Sequence, residues 1–121
     1  MRMWMVNPKI MCDRHLLGEH VEIHMFLGTL NKGISIQGYI DGDLFEISSL
    51  ESRHEELVKE MNCRGFKHNS VLPKKMFVVS EEVMNHKIDS DKSLQDLIDR
   101  CAACKERFEG YITHISYNRI G

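Results

Sequence analysis

Between Cys12 and Asn31 the apolar residues recur at helical spacing. Leu16, Ile23, Leu27 and Leu30 form one stripe, and Leu17, Val21 and Met25 cover another side. At about 100° per residue, His15, Glu19, Glu22 and Phe26 share one face and His20 and His24 share a different one. A helix that is apolar on several sides is central to its fold. The pattern therefore predicts a buried first helix, with Asp13 as its cap and Asn31 with Gly33 as its stop. Polar residues on such a helix are partly buried, and that usually has a reason.

The next stretch, "GISIQGYIDGDLFEI", alternates weakly, and Asp41-Gly42 is a turn signal. It reads equally as a short hairpin near 34–46 or as an irregular loop. "SSLESRHEELVKEMNCRGF" predicts a second helix. Ser48 to Glu51 has capping-box spacing, Leu50, Leu57 and Met61 keep the period, and Gly65 stops it. "KHNSVLPKK" is a polar connector, and "MFVVS" a short strand or buried extended segment. A third helix is predicted from Ser90 to Phe108, with Leu94, Leu97, Ile98, Cys101 and Cys104 on one side and Gly110 as terminator. The tail "YITHISYNRIG" is amphipathic without a clear conformation. The expectation is a mainly α, three-helix single domain over 1–121, with irregular connections around a buried N-terminal helix.

Composition narrows the function. At 121 residues, 42% hydrophobic and 28% charged, the chain has one domain's worth of core and is not disordered. No apolar run would span a bilayer. The start "MRMWMVNPKI" lacks the apolar core of a signal peptide. Four scattered cysteines suit a reducing compartment, so a bacterial or phage-infected host cytosol is expected. The formal net charge of −2 and pI near 6.4 argue against a protein that grips duplex DNA with its whole surface.

Three clusters carry candidate chemistry. His20 and His24 stand at i, i+4, a spacing able to chelate a metal, but no third ligand is evident. Cys101-Ala-Ala-Cys104 is a lone C-x-x-C; zinc needs a second pair, and Cys12 and Cys63 are single. Both clusters read as helix-packing residues, and no metal or cofactor is expected. "RGFKHNS" with Lys74-Lys75 reads as a solvated loop or as a local phosphate-binding edge, where Asn69 and Ser70 could hydrogen-bond a base or phosphate.

"DRHLLGEHVEI" (13–23), preceded by Arg2 near the chain start, resembles the phage pyrimidine-dimer DNA glycosylase/AP lyase family, the endonuclease V type of UV repair enzyme. In the second helix Arg53, Glu56-Leu57, Glu60 and the terminating Arg64-Gly65-Phe66 fall at the same spacing. The resemblance covers about the first 66 residues. It implies that the nucleophile is the α-amino group of the chain, which attacks C1′ of the damaged nucleotide and forms a Schiff base. It implies a glutamate of the first helix as acid/base at the sugar. On this chain those positions are Met1 and Glu22. Arg2, Arg14 and His15 become substrate-binding candidates, joined by His68 and Asn69 from the basic connector. An α-amino group titrates near roughly 7.7–8.0 against about 10.4 for lysine, so a useful fraction of such amines is neutral at pH 7.

Two features depart from the family. Val21 and Met25 stand where it carries phosphate-gripping arginines, and its aromatic, basic tail has no counterpart in "YITHISYNRIG". The leading expectation is a monomeric DNA glycosylase with abasic-site lyase activity, acting on damaged or single-stranded DNA. The alternative is a non-catalytic nucleotide or nucleic-acid binding protein on the same scaffold.

Overall fold

A computed structural model describes residues 1–68 and 70–120, with the side chains of 117–120 excepted. Six α-helices follow in chain order: α1 (Asp13–Asn31), α2 (Gln37–Asp41), α3 (Leu50–Cys63), α4 (Glu81–Asn85), α5 (Ser90–Arg100) and α6 (Ala102–Ile120). Short 3₁₀ turns at Pro8–Ile10 and Ile47–Ser49 precede α1 and α3. No strand occurs among the described residues, and none of their helices is long and apolar enough to cross a membrane.

The expected first helix forms and is central, with Cys12 rather than Asp13 at the cap position and Asp13 as its first residue. Leu16, Ile23, Phe26, Leu27 and Leu30 are buried, and α1 packs chiefly on α3. The Phe26 ring lies 3.9 Å from Phe45 and meets Tyr39 edge-on at 5.1 Å. Each fully buried side chain of this size contributes about 1.5–3 kcal/mol. From α3 the periodic Leu50, Leu57 and Met61 enter the same core. The N-terminal segment contributes Met3, Trp4, Val6, Ile10 and Met11. That segment is threaded through the middle of the molecule, with Met3 N–H donating to the Leu44 carbonyl at 2.8 Å. Met5 turns it with a left-handed φ of 53°, a conformation that costs a non-glycine residue of order 1 kcal/mol and survives only where packing dictates it.

Several expectations are corrected. The hairpin near 34–46 is absent: the segment holds the short α2, and Asp41-Gly42 closes that helix, Gly42 N–H bonding to the Gly38 carbonyl. The capping box at Ser48–Glu51 does not form. Ser49 is the α3 cap position and its hydroxyl donates to Glu46, while Ser48 accepts from Lys87. Met76–Ser80 has no regular secondary structure and is not a buried segment, with Met76 exposed and Val78 almost wholly so. Gly33 and Gly65 do end α1 and α3, with φ of 75° and 85°, the left-handed closure that glycine makes at little cost.

The third predicted helix is two helices. Cys101 is extended, with φ −126° and ψ 108°, and it separates α5 from α6. Its thiol then accepts the Cys104 N–H at 3.5 Å, so Cys101 caps the helix that follows. Gly110 does not terminate anything: α6 runs on through the tail to Ile120. A single helix-interior glycine costs only about 1 kcal/mol.

Candidate active site

The first half of the site is a buried ion pair. Glu19 on α1 takes the Arg53 guanidinium of α3 through Nε at 2.6 Å and Nη2 at 3.0 Å. Arg53 also donates to the Val6 carbonyl at 2.6 Å and pairs with Glu56. Both members of the pair are essentially inaccessible. Burial alone would lower the Arg53 pKa, but the Glu19 hydrogen bonds and charge outweigh it and raise the value. Charges so placed must be fully hydrogen-bonded to be tolerated. Glu19 meets that demand with one more bond, from the Trp4 N–H at 3.0 Å. The ion pair thereby fixes the N-terminal segment against α1.

One helical turn further, the Arg2 N–H donates to Glu22 Oε2 at 3.2 Å. Glu22 is half-buried and Met1 is exposed. The chain head and the helix carboxylate that the sequence paired are thus brought together. The Arg2 guanidinium turns back, stacking over Trp4 at 3.8 Å and donating to Ser93 Oγ at 2.9 Å, with Asp96 at 3.9 Å. Burial, followed by the opposing charges of Asp96 and Arg100, leaves its pKa lowered. Ser93 in turn donates to the Trp4 carbonyl. Neither Ser93 nor Asp96 was legible as part of the site, because the α5 contact depends on tertiary packing.

The remaining candidates scatter. Arg14 is exposed on the first turn of α1. His15 lies edge-on to Trp4 at 5.7 Å, and its Nδ1 meets Cys12 Sγ at 3.2 Å and Cys104 Sγ at 3.6 Å. Burial, then Arg14, lowers the His15 pKa against the opposing pull of Glu22. His68 does not join Glu22: it sits among His20, His24 and His54, at centroid distances of 4.8 Å from His20 and 5.2 Å from His54. Asn69 lies outside the described residues. The basic edge is largely consumed within the protein. Arg64 binds Asp13, Glu60 and the Pro8 carbonyl, and Lys75 approaches Glu51 at 3.7 Å.

Two further clusters involve α1, one at its start and one at its middle. In the first, Cys12, His15, Cys101 and Cys104 bring their ligand atoms within 4.8 Å of one another. Burial pushes the Cys104 thiol up to about 12. Burial acts the same way on Cys101, but hydrogen bonds, first from the Cys104 N–H, leave that thiol below its usual value. In the second, His20, His24, His54 and His68 do the same, and burial with the neighbouring imidazoles lowers His20 to about 4. In the sequence only the C-x-x-C and the His20, His24 pair stand out; the fold adds Cys12 and His15 to the first group and His54 and His68 to the second.

The geometry defines a helical scaffold that threads its chain head onto a glutamate of the central helix. The chain belongs to the pyrimidine dimer DNA glycosylase family, whose model matches residues 1–74. A DNA-repair function of the glycosylase type, with DNA as the polymer acted on, comes with that membership. No curated protein and no solved structure matches the chain. The matched span holds α1, α3, the Glu19–Arg53 pair and Glu22. Helices α4, α5 and α6 lie beyond it.

Proposed function

We propose that the chain is a monomeric DNA glycosylase with associated abasic-site lyase activity, in which the Met1 amine is the nucleophile and Glu22 the acid/base. The observation that carries this reading is the Arg2 N–H bond to Glu22, which leaves the Met1 amine one residue away from a half-buried carboxylate. The amine attacks C1′, the glycosidic bond breaks and its electron pair leaves with the base. Loss of a proton from the amine and opening of the sugar ring give the Schiff base. Glu22 supplies and removes protons at the sugar during these steps. The target nucleotide must leave the stack to reach the amine. Arg14, exposed on the first turn of α1, is the proposed substrate contact beside Arg2.

A second reading, non-catalytic binding of a nucleotide or nucleic-acid element, is favoured by one observation. Val21 and Met25 are 54% and 51% exposed on α1, so the helix face near Glu22 presents apolar side chains to the polymer. Borohydride trapping separates the two. Untagged protein incubated with DNA carrying an abasic site is expected to give a covalent adduct, and mass mapping is expected to place it on the Met1 amine. No adduct from protein whose intact mass shows a free Met1 amine would remove the enzyme reading and leave the binding one.

A further inference from the structure

We propose that Cys12, His15, Cys101 and Cys104 form a structural zinc site that fastens the α5–α6 junction to the start of α1. The proposal is independent of the glycosylase reading. A tetrahedral site with Zn–S of about 2.3 Å and Zn–N of about 2.0–2.1 Å has S···S edges of about 3.8 Å and S···N edges of about 3.5 Å. Here Cys12 Sγ and Cys101 Sγ are 3.9 Å apart, and His15 Nδ1 lies 3.2 Å from Cys12 Sγ and 3.6 Å from Cys104 Sγ. A disulfide would need its sulfurs at about 2.05 Å.

Two of the sulfurs accept backbone donors. The Cys12 N–H donates to Cys104 Sγ at 3.2 Å and the Cys104 N–H to Cys101 Sγ at 3.5 Å. Backbone donors of this kind stabilise negative sulfur and fix its direction. The spacing Cys12-x-x-His15 with Cys101-x-x-Cys104 is that of a two-half-site zinc motif. The extended break at Cys101, which helix propensity does not explain, is what points its sulfur at the other three ligands. Binding releases the thiol protons to solvent and joins segments 89 residues apart in the chain.

A second metal site is carried by a separate observation. His20 is 7% exposed, yet among the described residues its Nε2 has no hydrogen-bond partner, and neither has the buried Nε2 of His68. Orphaned buried polar nitrogens cost about 1–3 kcal/mol each unless something binds them. A ring nitrogen of each of these histidines lies within 4.8 Å of the ligand nitrogens of His24 and His54, whose Nε2 atoms are 3.2 Å apart. Tetrahedral imidazole ligands at about 2.0–2.1 Å from a metal stand about 3.3 Å from one another. The outer nitrogen of His54 meets Glu55 at 3.0 Å, the carboxylate–histidine arrangement that orients a metal-bound ring. The structure assigns to this tetrad a divalent first-row ion of the kind imidazole prefers.

One titration tests both. Reduced, untagged, metal-free full-length protein is titrated with Co²⁺ and followed by visible and near-ultraviolet absorption, and zinc content is measured on protein purified without chelator. The expected result is two equivalents bound, one of them with thiolate-to-cobalt charge transfer. Cys101→Ser with Cys104→Ser should remove that band and one equivalent. His24→Gln with His54→Gln should remove the other equivalent and leave the band. The cysteine site is overturned if the wild-type chain shows no charge-transfer band at saturating cobalt, or if the band survives the serine pair. The histidine site is overturned if the wild-type chain binds a single equivalent with thiolate character, or if the glutamine pair leaves the stoichiometry unchanged. The wild-type readings stand even where a variant fails to fold.

Discussion

Replacing Glu22 with glutamine is expected to lower the rate of strand cleavage at an abasic site by about 10²–10⁴-fold, the usual contribution of a positioned acid/base group. The fold should survive. A glutamine oxygen can still accept the Arg2 N–H that Glu22 Oε2 now takes at 3.2 Å, so the chain head keeps its place. What disappears is the ability to take and return a proton at the sugar. Glu22→Asp should retain part of the rate, since it keeps the carboxylate but shortens its reach. The measurement is single-turnover cleavage of a labelled oligonucleotide, with circular dichroism as the control for folding. Trapping distinguishes the steps: a glutamine variant that still forms the borohydride adduct but no longer cleaves places Glu22 after Schiff-base formation. Cleavage at the wild-type rate would remove Glu22 from the chemistry and leave its carboxylate as an anchor for the N-terminal segment alone.

The parts of this molecule that sequence makes legible are those governed by local periodicity. The stripes of α1 and the Leu50, Leu57 and Met61 period of α3 are set by which side of a helix meets the core, and both helices form where the pattern puts them. The nearness of the chain head to Glu22 followed from family spacing, which is itself a record of that same helix. Signals that serve two structures were not decided by sequence. Asp41-Gly42 suits a hairpin turn and a helix end equally, and packing of Ile40 into the core selects the helix end. The break at Cys101 depends on a thiol acting as a cap and on sulfur partners 89 residues away. No window of neighbouring residues contains that information. Metal-ligand sets divided between distant segments escape notice for the same reason: each half is unremarkable alone, and the fold supplies the other.

The largest stability effect is expected at Arg53. Truncation to alanine should cost about 3–5 kcal/mol, because it leaves the Glu19 carboxylate buried with its main partner gone. The Trp4 N–H would remain as the one other donor that Glu19 is seen to use, and a single amide does not neutralise a charge in a dry site. Urea unfolding of the variant at neutral pH is the measurement. Removing both partners together, Glu19→Leu with Arg53→Met, should recover much of the loss, as buried ion pairs often exchange for apolar residues at little net cost. Function is expected to part from stability at this point. The double variant would lack the bond that holds Trp4 to α1, and Trp4 carries Arg2 on its ring. A stable double variant with reduced adduct formation would show that the ion pair serves to place the chain head. A stable double variant with full adduct formation would show that packing of Met3, Trp4 and Val6 in the core places it without help from the charges.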